Sequence, residues 1–75
     1  MREYLEALRR FYIDLWNFHL QAAILLQRES SEEVWRKVVA DGSALSIRHG
    51  DTDFTAMMIR NVIDELERVQ KRGGS

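Results

Sequence analysis

The histidine and aspartate residues near position 50 form the densest group of chemistry-bearing side chains in the sequence. His49, Asp51 and Asp53 bring an imidazole and two carboxylates within five residues. Such nitrogen and oxygen ligands suit divalent cations and also occur at phosphoryl-transfer sites. The same run is typical of a loop that leads into an N-capped helix, and the wider ligand spacing of an EF-hand loop is absent from the sequence. We therefore predict a loop and a helix cap here, and no metal ligands.

The other residue types form no catalytic constellation. His19 lies on the apolar flank of a predicted helix beside Leu15, Trp16 and Ala23, and we interpret it as a packed side chain. The sequence has no cysteine nucleophile, no Gly-x-Ser-x-Gly motif and no glycine-rich loop suited to phosphate. We therefore expect no enzymatic activity, no catalytic residues, no cofactor and no small-molecule substrate.

The length of the chain limits it to one small domain, and its balance of charges gives no strong electrostatic attraction to a particular class of partner. Its 75 residues include 11 basic and 12 acidic side chains, for a formal net charge of −1. A chain so close to neutrality lacks the bulk attraction that draws basic proteins to nucleic acids or acidic membranes, so we expect neither as a partner. The sequence predicts one domain over residues 1–72 and a flexible tail over residues 73–75.

The N-terminus has no features of a targeting signal. Glu3 and Glu6 stand where a signal peptide would be basic and then apolar. The most apolar stretch, residues 11–26, is interrupted by polar side chains and is shorter than the ~20 residues that a membrane span needs. Together with the absence of cysteine from the sequence, these features predict a cytoplasmic protein.

The sequence predicts helices throughout, and these helices would position any functional site. Residues 3–28 are predicted to form a long first helix, because apolar side chains recur at alternating spacings of four and three. This stripe predicts the side of the helix that faces the core. Its members are Tyr4, Leu8, Phe11, Leu15, Phe18, Ala22 and Leu25, and it is widened on one flank by Leu5, Tyr12 and Leu26.

A short second helix is predicted to follow and to end near residue 40. Ser30 and Glu33 have the spacing of a capping box, with Ser30 as the N-cap. Gly42 stands where a helix often ends in a left-handed residue, and one further turn is predicted within residues 43–49 before Gly50. We expect both glycines to terminate helices, at least one of them with positive φ.

The third helix is predicted over residues 53–72, with Asp51 or Thr52 as its cap. No segment shows the sustained period-two alternation of a strand. The predicted fold class is therefore all-α: a small bundle of one long N-terminal helix, one short helix and one C-terminal helix, completed by dimerisation.

The first helix carries a second apolar side beside the predicted core stripe. Residues spaced three and four apart define it. Two shorter helices cover one side of the first helix well and a second only in part, so we predict a partner in trans, with complete wrapping by the other two helices as the alternative. The predicted interface residues are Ile13, Trp16, Leu20, Ala23 and Ile24. A narrow polar strip with Asp14, Asn17 and Gln21 is predicted to face solvent beside them.

These features favour a protein that acts by binding protein. The sequence predicts a small helical interaction module, an adaptor, regulator or inhibitor that forms a homodimer or binds a larger protein. Short chains of this kind are common among accessory genes of phages and mobile elements, and a role as such an accessory protein fits the same prediction. The alternative is a helical DNA-binding regulator that dimerises through the first helix. A helix-turn-helix over residues 32–50 is disfavoured, because its recognition helix would be barely two turns long before Gly50, with Arg48 as its only base-reading candidate.

Overall fold

The computed structural model describes residues 1–73, which form three helices. They are α1 (Arg2–Arg28), α2 (Glu32–Arg48) and α3 (Asp53–Gly73). The described residues contain no strand and are 89% helical, which confirms the all-α prediction. The third helix takes in Gly73, the first residue of the predicted tail, and Gly74 and Ser75 lie outside the described residues.

Short connections over residues 29–31 and 49–52 make consecutive helices antiparallel. The first and third helices are therefore parallel. Gln70 Nε2 donates to the carbonyl oxygen of Leu26 at 2.9 Å near their C-terminal ends. The rings of Phe11 and Phe54 lie 5.7 Å apart nearer their N-terminal ends. The result is an elongated bundle of 46 × 18 × 18 Å.

The core forms two adjoining clusters along the bundle axis, and each helix contributes to both. Phe18, Val62 and Ile63 pack against both clusters and join them. Most of the stripe predicted on α1 lies in or against this core, with Leu26 from its flank. The buried members are Phe11, Leu15, Leu45 and Ile59 in one cluster and Ala22, Leu26, Val38 and Leu66 in the other.

The first helix extends beyond its two neighbours at the N-terminal end. Its 27 residues span about 40 Å, whereas the 21 residues of α3 span about 31 Å. Residues 1–7 are all exposed. Tyr4 was predicted to face the core and instead is more than half exposed, at the edge of an open groove that Phe54 of α3 also lines.

The second helix is longer than predicted, because Gly42 lies inside it. It runs without interruption to Arg48, and Gly42 is buried where α2 approaches the other helices. A Cβ at this position would lie 2.9 Å from Ile59 Cγ2 and 3.3 Å from Phe18 Cζ. Glycine therefore permits close helix packing here, and the prediction that it terminates a helix was wrong. Residues 32–48 form one helix, so residues 32–50 contain no helix-turn-helix, and the alternative of DNA binding by a dimer stays a prediction without that motif.

The first cap is shifted by one residue from its predicted position. Ser31, and not Ser30, is the N-cap of α2, and its Oγ accepts a hydrogen bond from the Val34 backbone N–H at 3.2 Å. Glu33 is therefore one residue too early for the N3 position of a capping box. The sequence offered two adjacent serines, and the spacing to Glu33 favoured the wrong one.

The turn between α2 and α3 agrees with the sequence. Gly50 has a φ of 91° and Asp51 a φ of 50°, so the chain passes through two left-handed residues. Thr52 is the cap, since its Oγ1 accepts from the Thr55 N–H and the Thr55 Oγ1 accepts from the Thr52 N–H, each at 3.1 Å. The buried Ser46 hydroxyl donates to Asp51 Oδ1 at 3.0 Å. This network fixes the direction in which α3 leaves the turn.

Candidate interaction surface

One side of α1 remains uncovered in the bundle. Trp16 is 62% exposed, and Ile13, Leu20 and Ile24 are each between 39% and 47% exposed. We call these four residues, with Ala23 at their edge, the outward surface. Ala23 is half-buried and packs beside the second core cluster, so it belongs to both environments. The alternative that α2 and α3 wrap α1 completely is therefore wrong.

The geometry of a single helix places the outward surface away from the core. With 3.6 residues per turn, the centre of the outward surface is roughly 150° around α1 from the buried stripe of Phe11, Leu15 and Ala22. The second and third helices pack on either side of that buried stripe. A bundle with only two partners for α1 leaves the remaining side to solvent, and in this sequence that side is apolar.

The outward surface is large for a chain of this size. Its exposed side chains present on the order of 400 Å², a patch size that on monomers often marks an interaction site. Leu5 and Tyr12 adjoin it and are about half exposed. Both occupy helix positions between the two apolar sides of α1, so their spacing alone placed them with the predicted core flank. Only the positions of the neighbouring helices show that they extend the outward surface.

The polar strip of α1 faces solvent only in part, because Asn17 and Gln21 are exposed as predicted whereas Asp14 is half-buried. Asp14 Oδ2 accepts from His49 Nε2 at 2.8 Å and lies 3.8 Å from Arg48 Nη1. Asn17 and Gln21 line the open groove between α1 and α2. Across this groove, Lys37 pairs with Asp41 at 2.9 Å. Because the groove mixes paired charges of both signs, it offers no concentrated field for an ionic ligand.

The residues around position 50 stabilise the turn between α2 and α3. His49 caps α2, Asp51 accepts from Ser46 and Thr52 caps α3, as the loop-and-cap prediction required. Within residues 1–73, no group of three or more histidine, cysteine or acidic side chains is arranged to hold a metal ion. His19 is half-buried on α1, in agreement with its interpretation as a packed side chain.

Exposed apolar residues elsewhere are more scattered. Val39 and Ile47 lie on α2, and Met57 and Val69 lie on α3. Single exposed apolar side chains are normal on soluble domains, whereas a cluster on one helix side is informative. No described helix combines the length and apolarity that crossing a bilayer requires.

Comparison with protein-family models, curated proteins and solved structures finds no match to this chain. The functional interpretation therefore depends on the arrangement of its own residues.

Proposed function

We propose that this protein acts by binding another polypeptide chain through the outward surface of α1, as a helical interaction module. In this role it would serve as an adaptor, regulator or inhibitor. Trp16 is the observation that carries the proposal: this side chain, one of two tryptophans in the sequence, is 62% exposed in the middle of an apolar helix side. Tryptophan is enriched among the residues that dominate binding energy at interfaces.

The energetics favour association. Complete burial of a large apolar side chain contributes about 1.5–3 kcal/mol, so covering the half-exposed residues of the outward surface contributes about 1 kcal/mol or more for each. The helix that carries them is fixed by the core on its opposite side. A rigid surface loses little conformational freedom when a partner binds, which leaves more of the burial energy for affinity. The cysteine-free sequence suits a reducing compartment, and we propose the cytoplasm as the place of action.

The test is recovery of bound protein from the source cells with the tagged parent and two surface variants. Trp16→Glu and Leu20→Glu each place a charge at the centre of the outward surface, where a bound partner would leave it unpaired and buried. The matched control is Ile47→Glu, which makes the same kind of change at a 68% exposed residue on α2. We expect the parent and Ile47→Glu to retain the same partner, whether a second copy or another protein.

Loss of the partner in both α1 variants, with unchanged helical circular dichroism, supports the proposal. Retention of every bound protein by Trp16→Glu and Leu20→Glu would show that the outward surface is not the binding site. A parent that binds no protein, and no second copy of itself, would also contradict the proposal.

A further inference from the structure

We infer that the partner of the outward surface is a second copy of this chain, with its α1 packed antiparallel so that Trp16 of each copy lies opposite Leu20 of the other. This inference depends on the proposed function, because it names the occupant of the same surface. It rests on the spacing of the exposed residues, on their sizes and on the charges at the two ends of the surface.

The spacing is that of a coiled-coil seam. The intervals along the middle of the outward side of α1 alternate between four and three residues, as the a and d positions of a heptad repeat do. This second heptad frame is separate from the one that faces the core. Its positions are Arg9, Ile13, Trp16, Leu20, Ala23 and Gln27. Tyr12 and Ile24, both about half exposed, flank the seam on its two sides.

An antiparallel pair fits this seam to itself. With the twofold axis beside residue 18, Trp16 lies opposite Leu20 of the second copy and Ile13 lies opposite Ala23. Each layer then combines a larger side chain with a smaller one, and every layer occurs twice about the axis, as an isologous contact requires. A parallel pair would instead place Trp16 against Trp16 and Ala23 against Ala23, which crowds one layer and leaves the other underfilled.

The charges at the ends of the seam favour the same direction. In the antiparallel pair, Arg9 lies opposite Gln27 of the second copy, so the terminal layers join a cation to a neutral amide. In a parallel pair, Arg9 would lie opposite Arg9, and Glu6, the preceding residue of the frame, would lie opposite Glu6. Juxtaposed like charges oppose association, so they disfavour the parallel arrangement.

The available area fits a dimer of modest affinity. The outward surface with Tyr12 offers on the order of 500 Å² per copy, which places the pair at the small end of protein interfaces, where weak and transient complexes lie. We therefore expect a dimer that forms at micromolar concentration and dissociates on dilution. Light scattering coupled to size exclusion should then show twice the 8.8 kDa mass of the chain at high concentration.

Disulfide crosslinking tests both the partner and the direction. The sequence has no cysteine, so Ile13→Cys and Ala23→Cys each introduce a single reporter. The antiparallel pair brings position 13 of one copy to position 23 of the other. An oxidised mixture of the two variants, one of them carrying a mass tag, should yield the mixed disulfide dimer. Either variant alone should yield no more dimer than the control Ile47→Cys, whose reporter lies outside the seam.

The outcomes separate this inference from the proposed function. The mixed disulfide dimer, together with the loss of the doubled mass in Trp16→Glu, supports the antiparallel pair. Efficient self-crosslinking of Ile13→Cys alone and of Ala23→Cys alone would overturn the direction and show a parallel pair. A chain that stays monomeric at all concentrations and gives no crosslink would overturn self-association. The proposed function would still stand if another protein from the source cells were lost in Trp16→Glu.

Discussion

His49 Nε2 lies 2.8 Å from Asp14 Oδ2, and this hydrogen bond joins the middle of α1 to the C-terminal end of α2 across 35 residues of sequence. The histidine side chain is only 13% exposed, and its ring meets the edge of the Phe11 ring at a centroid distance of 5.3 Å. Asp14 therefore makes a structural contact within the bundle. The bond lies on the side of α1 that faces α2, so it leaves the apolar outward surface free of contacts with the rest of the bundle.

We expect the Asp14–His49 bond to contribute measurably to stability. Asp14→Ala and His49→Ala should each lower the free energy of unfolding, and the double variant should lose less than the sum of the two. Because a partly buried hydrogen bond to a charged group is involved, the coupling energy should be about 1 kcal/mol. Urea unfolding of the parent, the two single variants and the double variant measures it.

The exposed Lys37–Asp41 pair is the control for that cycle. Its atoms are equally close, at 2.9 Å, but both side chains are more than half exposed. Solvent screens such pairs, so the same cycle at these positions should give a coupling of about 0.5 kcal/mol or less. Equal coupling in the two cycles would mean that burial adds nothing to the Asp14–His49 bond.

Gly42→Ala should destabilise the protein although alanine favours helices. The helix preference of alanine contributes about 1 kcal/mol in its favour. Against this, the new Cβ would lie 2.9 Å from Ile59 Cγ2, a methyl on the branched Cβ of a buried residue, which can move away only by a change of χ1 or of the backbone. Overpacking of this kind costs about 1–3 kcal/mol, so we expect a net loss on the order of 1 kcal/mol by urea unfolding. Ser43→Ala, an exposed neighbour in the same helix, should be neutral or stabilising.

Gly50→Ala should destabilise the protein for a different reason. A Cβ there would have ample space, with its nearest neighbour 3.9 Å away at Thr52 Cγ2, but the φ of 91° disfavours any L side chain. We expect a loss of about 1 kcal/mol in the free energy of unfolding. Gly50→Asn should lose less, because asparagine tolerates left-handed backbone better than alanine does. Equal melting of Gly50→Ala and the parent would contradict the assigned turn.

Ser31→Ala should weaken the start of α2, whereas Ser30→Ala should not. Only the Ser31 hydroxyl accepts from a first-turn backbone N–H, that of Val34. Loss of an N-cap typically costs about 1 kcal/mol, and we expect this difference between the two variants in thermal unfolding. The reverse order of stabilities would restore Ser30 as the cap.

Much of the fold follows from local sequence patterns. The apolar spacing of α1 and the turn residues at Gly50 and Thr52 act within a few residues, so the sequence alone predicted both ends of α1 and the start of α3 closely. The length of α2 was not predictable in this way. Glycine inside a helix is unfavourable locally, and only the close approach of Ile59 and Phe18, which are 17 and 24 positions away, explains why Gly42 is there.

The outward surface could also be predicted only in part, because the pattern within one helix does not show the contacts between helices. The spacing of Ile13, Trp16, Leu20 and Ile24 identified an apolar helix side without reference to the other helices, and all four are exposed. Asp14 was placed with the solvent-facing strip because its partner, His49, is distant in sequence. Helix periodicity describes one helix at a time and contains no information on which residue of another helix lies opposite.

The two short connections also bear on how quickly the chain reaches its native state. Residues 29–31 and 49–52 join helices that are neighbours in space, so little chain entropy is lost when each pair of helices docks. Helical bundles with such local topology fold on the order of microseconds to milliseconds. We therefore expect the bundle to be folded, with its outward surface exposed, soon after synthesis. Contacts with other chains then have little time to compete with folding.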